Sequence, residues 1–323
     1  MIQDSTLKIG MAQIAPVWLN KAQTVEKIKD YIAQAAKQGC ELVVFGEGLL
    51  PGYPFWVSLT DGAQFESTVQ KEIHAHYIRN AVQIEAGDLE GIKKLAAASK
   101  IAVYLGIIEH PKNRGHSLYC SLAYINASGQ IKSVHRKLQP TYEERLTWAP
   151  GDGHGLQVHP LKQFIVGGLN CWENWMPLSR TALYGLGENL HIAVWPGSEY
   201  NTQDITKFIA KEGRSFVVSV SGFMQVTDFP KQTPHYDSII ANAPAVLANG
   251  GSCIAGPDGQ WVVAPVIGKE ALITGVIDFN RVLEERQNFD PIGHYSRPDV
   301  TQLIVNRERQ AVVHYKDETM SSD

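Results

Sequence analysis

The chain has 323 residues, 44% of them hydrophobic and 19% charged, with 28 glycines and 16 prolines, a balance that supports a sizeable packed core and excludes disorder, collagen and coiled coil. Its 29 Lys and Arg against 33 Asp and Glu give a formal net charge of -4, without the basic excess that a nucleic-acid partner requires. No apolar run approaches the ~20 residues that span a bilayer, and the start, with Asp4, lacks the apolar stretch of a signal peptide, so a cytoplasmic protein with no membrane partner is expected.

Residues 7–15 alternate and end at Pro16, a strand pattern, and Val25, Ile28, Ile32, Ala35 and Ala36 then recur at helical spacing up to Gly39. The run Leu42-Val43-Val44-Phe45 reads as a strand covered on both faces, followed by a Gly- and Pro-rich loop over 46–54. Helices are predicted over 66–83 and 88–99, a buried strand over 101–109, and a strand-turn-strand over 117–134 with its turn at Ala127-Ser128-Gly129. Strand 164–170, helix 178–190, strand 192–195, helix 204–213 and strand 216–220 continue the alternation. A hairpin about Pro257-Asp258-Gly259 and a strand over 271–277 close it. Strands alternating with helices, with hairpins interspersed, predict an α/β protein with a mixed sheet. No linker or composition break divides it, so one domain over 1–305 and a charged tail over 306–323 are expected.

The chain has no GxxxxGK[ST], HExxH or GxSxG, which removes the usual support for nucleotide, zinc and serine-hydrolase chemistry. Cys40, Cys120, Cys171 and Cys253 show neither CxxC nor zinc spacing. His74 and His76, two apart on a helix, point away from each other and read as a solvated face. Three reactive side chains directly follow apolar strand-like runs, where a sheet presents residues to a crevice. They are Glu47, Lys137 and Cys171. Taken singly, each has an ordinary explanation: a surface glutamate, a solvated basic run His135-Arg136-Lys137, and a packed cysteine. Together they supply what a thiol nucleophile needs, a general base and a cation to stabilise an anionic tetrahedral centre.

Phe45-Gly46-Glu47 with Pro51-Gly52-Tyr53-Pro54, His135-Arg136-Lys137-Leu138-Gln139-Pro140-Thr141 with Glu144, Arg145 and Trp148, and Asn170-Cys171-Trp172-Glu173-Asn174 with Met176-Pro177-Leu178 resemble, in this order, the nitrilase branch of the carbon-nitrogen hydrolases. Gly151-Asp152-Gly153 and Gly293-His294-Tyr295-Ser296-Arg297-Pro298-Asp299 are similar to the same branch, so the resemblance runs from about residue 7 to 305. It implies a four-layer αββα sandwich with two mixed β-sheets and no metal or cofactor. It also implies Glu47 as general base, Lys137 as the cation over the tetrahedral centre, Cys171 as nucleophile and Glu144 as a second carboxylate positioning Lys137. The Trp172 N–H would share the oxyanion hole, and His294 would lend support. One departure is local: Gly46 and Gly48 flank Glu47 where the family more often has proline before it and alanine or threonine after it.

The implied reaction is hydrolysis of an organic nitrile through a thioimidate and then a thioester on Cys171, giving a carboxylic acid and ammonia, with only the nitrile and water as small-molecule partners. Aromatic side chains near the motifs, Tyr53, Tyr142, Trp172 and Trp195 with Trp56, Trp175 and Met176, are expected to line the mouth and favour an aryl or arylaliphatic nitrile. An amidase or N-carbamoyl hydrolase would use the same Glu, Lys and Cys, cyanide would fit the same chemistry, and a non-catalytic binding member of the fold is the least favoured alternative. Cys171-Trp172 is also similar to the Cys-Trp pair of papain-like proteases, a reading the surrounding sequence does not support. The resemblance further implies a dimer or longer spiral of copies, closed through residues 178–190 and 204–213.

Overall fold

In the computed structural model, which describes residues 5–313, the first half of the chain runs β1 (Thr6–Gln13), α1 (Lys21–Lys37), β2 (Leu42–Phe45), α2 (Trp56–Leu59), α3 (Thr68–Asn80), α4 (Glu90–Ser99), β3 (Ala102–Glu109), β4 (Tyr119–Ile125) and β5 (Ile131–Arg136). The second half runs β6 (His159–Leu161), β7 (Phe164–Asn170), α5 (Pro177–Tyr184), β8 (Leu190–Trp195), α6 (Glu199–Gly213), β9 (Phe216–Ser221), β10 (Phe223–Gln225), α7 (Tyr236–Asn242), β11 (Val246–Ala255), β12 (Trp261–Ile267), β13 (Ala271–Asp278) and α8 (Asn280–Arg286). Six strands form one sheet in the order β13-β1-β2-β3-β4-β5, and seven form the other, β10-β11-β9-β8-β7-β6 with β12 on β11. Each has a parallel centre, β1-β2-β3 and β7-β8-β9, flanked by antiparallel strands. The last strand, β13, returns across the whole chain to pair with β1, Thr6 opposite Asp278 and Gln13 opposite Ala271.

The two-residue period of a strand sorts the side chains into layers. Leu42 and Val44 of β2 face the second sheet, where they share a core with Val166, Ile192, Val194 and Val218. Val43 and Phe45 face the other way, onto Ile28, Ile32 and Ala35 of α1 and Ile92 and Ala96 of α4. Ala193 and Trp195 of β8 likewise turn outward, onto Ile205, Ile209 and Ala210 of α6. Helix, sheet, sheet and helix therefore stack as the expected αββα sandwich. An aromatic-rich cluster about Trp18, Trp56, Tyr77, Trp148 and Phe229 closes one end. No helix among the described residues is long and apolar enough to cross a membrane.

Several expectations shift in detail. The helix predicted over 178–190 is only α5, Pro177–Tyr184, because Gly185 and Gly187, the latter at φ +87°, break it. β11 begins at Val246, well before the expected 253, and carries Gly250 and Gly251 at positive φ inside the strand, a glycine pair that reads as a turn in sequence. α7, α8 and the three-residue β6 and β10 had no clear pattern. The tail expected to begin at 306 docks on its own chain: Arg309 and Gln310 both bond to the Asp152 carboxylate, at 2.9 and 3.0 Å, and His154 pairs with the Arg307 carbonyl. Residues 314–323 of that tail lie outside the described residues.

Gly106 of β3 lets the first sheet approach the loop after β2, since a Cβ there would stand 2.1 Å from the Gly46 oxygen and 2.8 Å from Glu47 Cα. Gly106→Ala should therefore lower the unfolding free energy by about 1–3 kcal/mol. Urea denaturation measures this, and an unchanged midpoint would mean that the 46–48 loop yields freely.

Candidate active site

Each of the three residues singled out at a strand end stays there, and the fold brings the three ends together. Glu47 follows β2, and its backbone N–H donates to the carbonyl of Trp195 at the end of β8, 3.2 Å away. That bond joins the two sheets at the site. Gly48 sits at φ +57°, a conformation that glycine adopts without strain. Lys137 follows β5, with its N–H on the Cys120 carbonyl of β4 at 2.7 Å and its own carbonyl bonded by the Gly151 N–H at 2.8 Å. Cys171 follows β7 at φ +48°, a costly position for a side-chain residue that persists only where its surroundings enforce it.

The enforcing contacts are specific. Asn174 donates through Nδ2 to the Cys171 carbonyl at 2.8 Å and accepts through Oδ1 from His191 Nε2 at 2.8 Å, while His191 Nδ1 pairs with Glu188 at 3.0 Å. All three of these side chains are buried. Glu173 ties the two ends together: its carboxylate accepts from the Leu138 N–H at 2.6 Å, beside Lys137, and from the Asn170 N–H at 2.9 Å, beside Cys171. Burial alone would push Glu173 up, but His135 at 3.1 Å and these N–H donors hold its carboxyl below the usual range.

At the centre, the Lys137 ammonium lies 2.8 Å from Glu47 Oε1 and 2.6 Å from Glu144 Oε2, with all three side chains out of water. Glu144 is held in turn by the Thr141 N–H at 2.7 Å and the Tyr53 hydroxyl at 3.0 Å. The Cys171 sulfur and one oxygen each of Glu47 and Glu144 lie within 4.8 Å of one another. Such a trio could hold a metal ion, but the lysine ammonium already bonds both carboxylates and supplies the positive charge. Burial pushes Glu47 up to about 7, with Lys137 opposing and Glu144 adding to the rise. Burial would lower Lys137, but Glu47, Cys171 and Glu144 hold it well above its usual value, so it stays an ammonium. Burial, then Glu47, push the Cys171 thiol well up, against Lys137 and the Trp172 N–H that bonds the sulfur. At rest the thiol is protonated, next to a carboxylate able to take that proton near neutral pH.

The basic run His135-Arg136-Lys137 is not solvated. Each member is buried with its own carboxylate: His135 with Glu173, Arg136 with Glu109 in a bidentate pair at 2.7 and 2.8 Å, and Lys137 with Glu47 and Glu144.

The aromatic expectations divide. Tyr53 reaches the site through Glu144. Trp172 and Trp175 are partly exposed and stack at 6.0 Å between centroids, and Tyr142 is 83% exposed. Trp195 is corrected: its indole is fully buried behind Cys171 on the α6 side, with Nε1 on the Ser219 hydroxyl, and it is the Trp195 carbonyl that serves Glu47. Trp56 packs between Trp18 and Tyr77 in the core. His294 is exposed, its ring against Tyr295, outside the buried cluster. His74 and His76 are engaged separately, with Thr147 and the Leu19 carbonyl.

Beside Glu47 lies a small cavity of about 20 Å³ walled by Tyr53, Phe55, Leu49, Pro196, Phe223 and Met224. Phe55, Phe223 and Met224 were missed in the sequence, since nothing local separates them from core residues. A larger surface cavity of about 300 Å³ near Phe65, Gln70 and His74 contains none of the four clustered side chains.

The model of the carbon-nitrogen hydrolase family matches residues 8–287. The chain belongs to that family. Among curated relatives it is 33% identical to nitrilase 1 of Arabidopsis thaliana, over 96% of this chain and 90% of that protein. It is 32% identical to an aliphatic nitrilase of Rhodococcus rhodochrous, over 96% and 85%, and 32% identical to a nitrilase 2 from an unknown prokaryotic organism, over 96% and 95%. These matches place the chain in the nitrilase branch, among hydrolases of carbon–nitrogen bonds. A carbon-nitrogen hydrolase from Helicobacter pylori G27 shares the fold, with a TM-score of 0.69 and 19% identity over 91% of this chain and 96% of that one.

Glu173→Ala would leave the buried Asn170 N–H and the part-buried Leu138 N–H without an acceptor, at roughly 1–3 kcal/mol each. The variant should therefore lose at least ~2 kcal/mol of stability in urea denaturation, and a loss below half of that would show that the tie between the two strand ends is not needed.

Proposed function

We propose that this hydrolase converts an organic nitrile to the carboxylic acid and ammonia, with Cys171 as nucleophile, Glu47 as general base, Lys137 as the cation over the reacting carbon and Glu144 holding Lys137 in place. The observation that carries the reading is the buried ammonium between two carboxylates with a protonated thiol alongside. Relatives named nitrilases, matched over nearly the whole chain, support it.

In this reading Glu47 takes the Cys171 proton as the sulfur adds to the nitrile carbon, and passes that proton to the nitrile nitrogen, giving a neutral thioimidate. Glu47 then deprotonates a water that adds to the same carbon. The tetrahedral centre forms beside Lys137 and the Trp172 N–H, Glu47 returns the proton to its nitrogen, and it collapses with loss of ammonia to a thioester. A second water, activated in the same way, releases the acid and restores the thiol. If sulfur leaves the tetrahedral centre before nitrogen does, the product is the amide.

The cavity beside Glu47, Tyr53 among its walls, is lined by aromatic and aliphatic side chains, which suits an uncharged nitrile with an aryl or arylaliphatic body, but its volume of about 20 Å³ requires those walls to part for such a body to enter. We also expect self-association as a dimer or longer spiral, since Leu178 of α5 and Phe208 of α6 are exposed on the two helices singled out for it. Light scattering at the monomer mass would refute that.

The deciding measurement is ammonia release from aromatic, arylacetic and aliphatic nitriles, cyanide and amides. Turnover of nitriles should fall to background in Cys171→Ala, and by at least ~100-fold in Glu47→Gln, as expected for loss of a general base. Release from amides alone would overturn the nitrile reading in favour of an amidase. Glu47 works only when ionised and is pushed up to about 7, so kcat/KM should fall as pH drops through that value and level off above it. A limb centred near 4.5 would contradict the assignment of Glu47.

A further inference from the structure

Cys120 plays no part in the scheme above, yet its side chain lies inside the site. It stands on β4, fully buried, with its Sγ 3.4 Å from Glu47 Oε1. Its carbonyl, on the same residue, accepts the Lys137 backbone N–H at 2.7 Å. One residue thus touches the carboxylate through its side chain and the lysine through its backbone. Glu47 Oε1 receives both the Lys137 ammonium and the thiol, whereas Glu47 Oε2 is buried with no hydrogen-bond partner.

We propose that Cys120 is a positioning residue for Glu47: its S–H donates to Oε1 and, with Lys137, fixes the rotation of the carboxylate so that Oε2 is the oxygen presented to the reacting proton. The proposal rests on the reading of Glu47 as general base. A thiol can act only as a donor here if it keeps its proton, and burial followed by the Glu47 charge push the Cys120 thiol well above its ordinary value. The bond favours the ionised form of Glu47, which already bears the desolvation of a fully buried carboxylate. The titratable groups around Glu47 are Cys120 from β4, Lys137 after β5, Glu144 on the 142–146 turn and Cys171 after β7, with the Tyr53 and Tyr77 hydroxyls further out.

The backbone bond to Lys137 survives any substitution at this position, so side-chain variants isolate the thiol. Cys120→Ala removes the donor, destabilises ionised Glu47 and should move the acidic limb of kcat/KM to higher pH by about half a unit to one unit. Cys120→Ser keeps a donor and should return the limb to near its original position. A second readout needs no substrate: the pH dependence of Cys171 alkylation by iodoacetamide, located by mass spectrometry, should show the same upward displacement in Cys120→Ala and the same return in Cys120→Ser. If Cys120→Ala does not fold, Cys120→Val fills the volume without a donor and takes its place. A lower rate with the limb unmoved, or equal displacement in the Ala and Ser variants, would mean that the thiol only packs, and would overturn the proposal. Absence of nitrile turnover in the wild type would instead defeat the functional reading, and the alkylation profile would still decide the role of Cys120.

Discussion

The Lys137 ammonium, 2.8 Å from one buried carboxylate and 2.6 Å from another, sets the terms for everything around it. Removing three ions from water is expensive, and the cost is tolerable only where geometry and further hydrogen bonds are good. Hence the surrounding detail: Glu144 is pinned by Thr141 and Tyr53, Glu47 by the Trp195 carbonyl through its backbone, and Lys137 by Cys120 and Gly151 through its own. Two carboxylates about one cation also leave an excess of negative charge. Burial adds to that pressure and lifts Glu47 to about 7, so it exchanges a proton near neutral pH. A base poised near neutrality is thus a product of burial first, which Lys137 opposes and the second carboxylate reinforces.

A second constraint acts on geometry. The site draws Glu47 and Lys137 from the first sheet and Cys171 from the second, so the distances among them depend on how the sheets stack. Interlayer packing of aliphatic side chains sets the gap between the sheets but is non-directional. The finer adjustment comes from polar ties that cross it: Glu47 N–H to the Trp195 carbonyl, and Glu173 with one oxygen on Leu138 and the other on Asn170. The strained backbone of Cys171 belongs to the same scheme, held by Asn174 and, behind it, His191 and Glu188.

Much of this was legible in the sequence. The parallel strands β2 and β7 are buried and show as short apolar runs, which places Glu47 and Cys171 at sheet ends, while Lys137 stood out after the strand-like run of β5, an antiparallel edge strand. What was hidden depends on partners remote along the chain. His135-Arg136-Lys137 reads as solvated because Glu109, Glu173 and Glu47 lie far from it in sequence. Trp195 and Trp56 could not be assigned to mouth or core, since an indole beside a motif looks the same in either place. Phe55, just before α2, and Phe223 and Met224 of β10, at the edge of the second sheet, meet at one cavity only in the folded chain. Cys120 carries no sequence signal of its own, since it shows neither CxxC nor zinc spacing and its strand is buried throughout.

The docking of residues 306–310 adds an element of order in time. Asp152 holds Arg309 and Gln310, and its neighbour Gly151 bonds the Lys137 carbonyl. On a ribosome, both sheets can be synthesised and begin to pack while that stretch is still inside the exit tunnel. The clasp on the lysine's loop cannot form until residue 310 has emerged, so vectorial synthesis makes this contact available only after the strands that carry the site.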